Sequence, residues 1–499
     1  MPLTVVSGFT NKIIGIVKLS IMKPLTKKFA TKWLLLLSCL LLATLSCKKE
    51  VKPGLTPNEQ FKTDSSGLRI DDRSHLQSTN RYSSEVVIKW LNMQLDMLRV
   101  PLPAGTGTQA AERAQAYCGI ALYEAVLPGM HDYRSMKGQL TDFPDMPSIE
   151  NGKSYHWAAS ANAALAEMNR KLFPATSAPN KTKMDSLENA LQSEFASEVS
   201  AGTMKRSVAF GKEVADRIFE WAVVDGSANV NPPYVPPVGP GLWVPTAPTP
   251  PINPYAFQRR LLVPGVANGT TLAPPPPYST TPGSLFWNMV KDVYDKSLVL
   301  TPDQIASAVY YRDAPGYPGG GHFVSILMQV LTIVQPSLER AALAYIKVGL
   351  SQHEATIILF TNKYHYNLIR PVTYIQTVMG HPTWQTVIPT PNHPEFPSGH
   401  AVTNSAVIVM LNDMFGRNFH ITLHTYDYLG LPTRSFNSFD EMGKEMSDSR
   451  VFGGLHYQAT CDKSRLQGRR IGLNILKRID FLKDNRHDDH NDHNDHGHH

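Results

Sequence analysis

Three short stretches of the chain concentrate the residue types that bind and transform oxyanions. In NHPEFPSGHAVTNSAVIVMLN, residues 392–412, a Pro-Ser-Gly-His element runs straight into an apolar, helix-compatible segment. The first N–H groups of a helix lack intrahelical partners and the macrodipole is positive there, so anions are attracted to that end. Ser398 can donate a hydrogen bond, Gly399 lets an oxyanion approach the backbone amide, and His400 can move a proton. The same letters also fit an ordinary N-cap after a proline turn, with His400 as a polar bystander.

The second stretch is KYHYNLIRP, residues 363–371, in which Lys363 and Arg370 stand seven residues apart. That is nearly two helical turns and predicts both cations on one helix face, with Pro371 opposing continuation through Arg370. A solvated basic stripe has the same spacing. The third stretch is SRVFGGLHYQATCD, residues 449–462, where Arg450 and His456 are six apart and would lie on different faces of one ideal helix. Gly453 and Gly454 between them let the chain bend and re-aim the imidazole. A core histidine next to a surface arginine is the plainer alternative. Together the stretches supply three cations, a hydroxyl, a backbone amide at a helix start and two histidines. A tetrahedral oxyanion such as phosphate or vanadate requires that set: dispersed positive charge, directional donors, a ligand or nucleophile, and a proton donor.

The elements that must position these residues read as helices. Apolar residues recur at three- and four-residue spacing in SSEVVIKWLNMQLDMLRV, AAERAQAYCGIALYEAVLPG, YHWAASANAALAEMNRKLF and KMDSLENALQSEFASEV. A further helix is predicted over residues 204–224, and helical patterns resume at about Thr301. Strand alternation is scarce, so the expected fold is an all-α helical bundle. Residues 231–282 hold 16 of the chain's 38 prolines together with many aromatic and aliphatic residues. Such a segment cannot be a regular helix, and its apolar content predicts an extended loop packed around the helical body rather than a linker.

The termini carry a different message. A basic start followed by an apolar run over residues 33–45 and then Ser46-Cys47 is a secretory signal pattern, with Met22 the expected start. Small or apolar residues before Cys47, with Lys48 and Lys49 after it, resemble a bacterial lipoprotein cleavage site. The expected organisation is therefore an export segment over residues 1–46, a lipidated Cys47 with a polar tether to residue 81, a helical domain over residues 82–480 and a tail over residues 481–499. The expected location is outside the cytoplasm, anchored to a membrane and facing the periplasm or cell surface. The tail RHDDHNDHNDHGHH is read as solvated and disordered, although its six histidines could bind transition metals loosely. Two cysteines, Cys118 and Cys461, remain in the body, where export permits but does not require a disulfide. The formal charge of +6 is modest for 499 residues and no basic block is interleaved with aromatics, which argues against a nucleic-acid partner. No HExxH or paired CxxC supports an organised zinc site. The oligomeric state is not legible.

Lys-x6-Arg-Pro, then Pro-Ser-Gly-His, then Ser-Arg-x5-His resembles the signature of the vanadium-dependent haloperoxidase and type 2 phosphatidic acid phosphatase superfamily. The match is concentrated between about Lys363 and Arg470, within a signature core over residues 305–475. The stretch VYYRDAPGYPGGGHF, residues 309–323, and the earlier RAQAYCGIALYEAV look like the longer, soluble haloperoxidase branch. The resemblance implies that Lys363, Arg370, Ser398, the Gly399 amide and Arg450 hold the oxyanion's equatorial oxygens. It implies His456 as the vanadium ligand of a haloperoxidase or the nucleophile of a phosphatase, with His400 as general acid/base. One pocket serves both because five-coordinate vanadate resembles the transition state of phosphoryl transfer.

Asp313 is then a candidate partner for one of the arginines. His393, five residues before Ser398, stands where members selective for bromide or iodide tend to have histidine and chloride-oxidising ones phenylalanine. One position departs from the pattern: the family often has an aspartate four residues after the final histidine, and here Thr460 stands there, with Asp462 two residues later. Either Asp462 substitutes, or the orientation of His456 is set otherwise. The expected activity is oxidation of bromide or iodide by hydrogen peroxide with vanadate as cofactor. The alternative is an exported acid phosphatase acting on a small phosphoester, with phosphate in the same site. Phosphatases of the superfamily that act on lipids span the membrane several times, which this chain does not.

Overall fold

Each of the periodic stretches forms the helix its spacing predicts. A computed structural model describes residues 77–100, 111–312 and 321–483. Helices α1 (Glu85–Leu98), α2 (Ala111–Val126), α3 (Trp157–Leu172), α4 (Ala178–Ala196) and α5 (Ala201–Ala222) build the first half. Ser177 and Ser200 start α4 and α5 by accepting hydrogen bonds from the N–H groups of Asn180 and Thr203. The second half contains α6 (Leu285–Ser297), α7 (Pro302–Tyr310), α8 (Gly321–Val334), α9 (Leu338–Tyr366), α10 (Pro371–Thr377), α11 (Gly399–Phe415), α12 (Phe439–Phe452) and α13 (Gln458–Arg478). The strands described are β1 (Ile421–Leu423) and β2 (Arg434–Phe436), an antiparallel pair with Thr422 opposite Ser435. The fold is all-α, as the patterning predicts.

Helix α9 organises the rest. It is 29 residues long and buried on every side over most of its length, which is the behaviour of a helix that other helices surround. It packs against α2 on one side and α11 on another. The α2 crossing is close because glycines face backbone: a Cβ at Gly349 would lie 2.6 Å from the Gln115 carbonyl oxygen, and one at Gly119 would lie 2.9 Å from that of Tyr345. Helices α12 and α13 pack on α11 and complete the second group.

One sequence expectation is corrected here. Lys363 and Arg370 do not share a helix face. Helix α9 stops at Tyr366, because Asn367 adopts the left-handed conformation (φ 46°) that asparagine tolerates. Arg370 is the extended residue capping α10, with Pro371 at that helix's first position, where its missing N–H is harmless. The two cations converge because the chain turns between them.

The proline-rich segment is an ordered loop against the body, as its composition predicts. Trp243 is buried, and its N–H donates to the Asn367 carbonyl while the Ile369 N–H donates to that of Gly241. Farther along, Asn392 receives the Thr246 N–H on its side chain and the Ile252 N–H on its carbonyl. Leu262 and Val263 are buried against α9, and both of their N–H groups donate to the Glu354 carboxyl.

Burial pushes that carboxyl up to about 8, against an ordinary 4.5. Between those values the folded chain keeps a proton that the unfolded chain has released, so stability falls as pH rises through the window. The loss is on the order of a few kcal/mol. Glu354→Gln should flatten the decline in melting temperature between about pH 5 and pH 8. Parallel wild-type and variant curves would show that this carboxyl does not set the decline.

Among the described residues, no helix is long and apolar enough to cross a membrane and no cluster of three metal-ligating side chains occurs. Cys118 and Cys461 are both free and buried. The export segment with Cys47, Asp313, and the His/Asp-rich tail beyond residue 483 lie outside the described residues.

Candidate active site

The three motif stretches meet where the C-terminal end of α9, the N-terminus of α11 and the turn after α12 come together. Lys363, Arg370, Ser398, Arg450 and His456 are all buried there, and Gly399 and His400 are partly exposed at the first turn of α11. The Lys363 Nζ donates to the carbonyls of Pro394 and Glu395, at 2.9 and 3.0 Å, and to that of Pro397. An ammonium has three donors, so all three hold the loop that precedes Ser398, and Lys363 offers the pocket charge rather than a spare N–H. Burial and then the Arg370 charge hold its pKa well below the lysine range. Arg370 donates from Nε to the His393 carbonyl at 3.0 Å and from Nη1 to that of Leu455 at 2.9 Å. Burial lowers its pKa to about 10, with Glu395 opposing the shift. Arg450 donates from Nη1 to the Tyr311 carbonyl at 2.7 Å.

His456 reaches the pocket because α12 ends at Phe452 and the chain bends through Gly453 and Gly454, as the sequence predicts. Gly454 has φ 76°, and a Cβ there would meet the Trp384 ring at 2.9 Å. The proton positions on His456 follow from its partners. Arg370 Nη1 lies 3.3 Å from Nε2 and can only donate, so Nε2 carries a lone pair and Nδ1 carries the hydrogen. Nδ1 donates to Glu395 Oε1 at 2.9 Å. Burial, then the charges of Arg370, Lys363 and Arg450, keep the ring's pKa far below the usual histidine value. A group bonded to Nε2 would take that lone pair and release the Arg370 N–H to donate to it.

Glu395 is the residue that the sequence reading missed. Its carboxylate also accepts the Tyr457 N–H at 3.1 Å and the Thr460 hydroxyl at 3.0 Å. Thr460, standing where an aspartate was expected, thus caps the carboxylate that does the aspartate's work from elsewhere in the chain. Asp462 does not substitute: it lies in an exposed contact with Gln458. Burial raises the Glu395 pKa to about 7 against the pull of Arg370 and Lys363. The available signal was an acid three residues before Ser398 in an otherwise apolar, proline-bounded run, together with the missing aspartate at position 460.

His393 lies behind Arg370. Its Nδ1 is 2.9 Å from Arg370 Nη2, and its ring meets the Phe360 edge at 5.4 Å between centroids. Since Arg370 only donates, Nδ1 is the acceptor, and the Pro394 carbonyl 3.2 Å from the same nitrogen is a contact rather than a hydrogen bond.

Ser398 does not behave as an ordinary N-cap. It occupies the N-cap position of α11, yet its hydroxyl makes no capping bond. That oxygen is buried without an oxygen or nitrogen partner among the described residues, and the weakly bonding Cys461 thiol lies beside it. Beyond it, a Cβ at Gly399 would meet nothing nearer than a Leu359 methyl at 3.7 Å. Against Lys363 and Arg370 the described residues set one carboxylate, Glu395. Such an excess of buried positive charge, with a donor hydroxyl and a helix N-terminus next to the loop it holds, suits an oxyanion with several oxygens. The residues fit vanadate or phosphate.

A family model described as the VCPO second helical-bundle domain matches residues 344–484. No curated protein matches the chain. Among solved structures, one described as the first bacterial vanadium-dependent iodoperoxidase is 28% identical, with a TM-score of 0.71 over 81% of this chain and 98% of that one. An apo-type bacterial vanadium-dependent chloroperoxidase is 16% identical, with a TM-score of 0.57 over 74% of this chain and 94% of that one, a likeness of fold.

Proposed function

We propose that this chain, similar to the vanadium haloperoxidases in its matching family model and in fold, oxidises iodide or bromide with hydrogen peroxide at a vanadate ligated by His456. The carrying observation is the His456 ring itself. It is buried among cations, its Nδ1 is tied to Glu395, and its Nε2 lone pair is turned toward Arg370. Arg370, Arg450, the Ser398 hydroxyl and the Gly399 amide would hold the oxygens, and Lys363 would add charge from behind the loop. When bound, vanadate supplies the electrophilic centre at which peroxide is activated toward halide. The chain's own part is to neutralise the oxyanion, exclude water from a buried pocket and move protons. His400, at the second residue of α11 and partly exposed, would take peroxide's protons and return them. His393 beneath Arg370, together with the greater likeness to the iodoperoxidase, favours iodide or bromide as substrate. The lipoprotein-like pattern ending at Cys47 supports a site outside the cytoplasm.

The test is a paired assay on the purified protein. Loaded with orthovanadate, it should oxidise iodide or bromide when peroxide is added. Phosphate release from an aryl phosphate by the vanadate-free protein, with no halide oxidation after loading, would overturn the proposal in favour of a phosphatase.

Glu395→Gln probes how His456 is held. Glutamine keeps an acceptor for Nδ1–H and for the Tyr457 N–H but loses the charge. Vanadate affinity should weaken by about 10–100-fold, the usual consequence of losing a ligand's own partner. Asp462→Asn should leave it unchanged. Equal affinities for wild type and Glu395→Gln in an equilibrium titration would remove Glu395 from the site.

A further inference from the structure

His322, in the first turn of α8, is a buried imidazole that nothing above employs. It is 7% exposed, and neither ring nitrogen has a hydrogen-bond partner among the described residues. A buried polar group left in that state has lost the hydration it had in the unfolded chain, so it calls for a ligand. Its surroundings are aromatic: the rings of Tyr311, Tyr426 and Tyr310 stand 5.4, 5.7 and 6.2 Å away between centroids. One of these residues, Tyr311, also touches the site. The Tyr311 carbonyl is the acceptor that holds Arg450, and His322 lies within electrostatic reach of His400.

We propose that His322 is a binding residue for hydrogen peroxide, contacting it through one ring nitrogen beside His400. The inference rests on the haloperoxidase reading and extends it. Peroxide both donates and accepts hydrogen bonds and so can pair with whichever nitrogen of a neutral imidazole meets it, N–H or bare; a halide ion only accepts. Burial pushes the His322 pKa down to about 3, so the ring stays uncharged near neutral pH and offers a halide no counter-charge. The tyrosine rings fix its plane, leaving the nitrogens to select the ligand.

The experiment measures peroxide affinity directly, by vanadium NMR titration of the vanadate-loaded protein, in wild type, His322→Phe and His322→Gln. Phenylalanine keeps the ring contacts and removes both nitrogens, whereas glutamine restores a donor and an acceptor. Peroxide affinity should fall about tenfold or more in His322→Phe and largely recover in His322→Gln, with vanadate affinity within about threefold throughout. Unchanged peroxide affinity in His322→Phe overturns the proposal, because the ring then only fills space or binds water. A parallel loss of vanadate affinity also overturns it, because the role is then structural. Should a variant fail to fold, histidine-labelled wild type decides: the His322 ring-nitrogen signals either move with added peroxide or disprove the contact. A wild type that binds peroxide through His322 yet oxidises no halide sinks the proposed activity and leaves this assignment standing.

Discussion

Replacing His456 by alanine should abolish vanadate-dependent halide oxidation and vanadate retention together. The imidazole turns its Nε2 lone pair toward Arg370, with its other nitrogen fixed by Glu395. Losing a ligand's partner alone typically weakens binding by about 10–100-fold, so losing the ligand should exceed that and leave activity near background. The cations remain, so alanine should still admit an oxyanion weakly, as a free ion. Equilibrium dialysis of vanadate beside a halide-oxidation assay checks both halves. Retained activity at saturating vanadate would show that another group ligates the metal.

The second large effect separates turnover from binding. His400→Ala should lower turnover by about 10²–10⁴-fold, the usual worth of a positioned general acid/base, while vanadate affinity changes little. Arg450→Ala should behave in the opposite sense, because a buried guanidinium anchored by the Tyr311 carbonyl serves the oxyanion's charge rather than its protons. Comparing kcat at saturating vanadate with vanadate affinity in both variants settles the roles. Loss of affinity in His400→Ala with affinity retained in Arg450→Ala would reverse the assignment.

Much of this architecture could be read from the letters. Apolar spacing located the first-half helices, because a helix that buries one stripe must repeat it every three or four residues. The proline-rich segment announced a packed loop through its tryptophan and aliphatics. The cradle residues were legible because each motif places an unusual side chain beside a backbone device: Ser398 at a helix start, and His456 after two glycines. What escaped reading depends on distance in sequence. Arg370 looked like a helix-face neighbour of Lys363, and only the left-handed Asn367 ends that helix in time to prevent it. Glu395 and His456 lie 61 residues apart, and no local pattern pairs them. His322 stood in a glycine-rich stretch with no periodicity to mark it as buried.

Lys363 and Arg370 are gripped by main-chain oxygens of residues 393–397 and of Leu455. Those oxygens are present as soon as the polypeptide has folded, whatever the metal supply. Maturation is therefore expected to be a late and separate event: protein made during vanadium scarcity would keep its shape and become active when the element arrives, with no fresh synthesis.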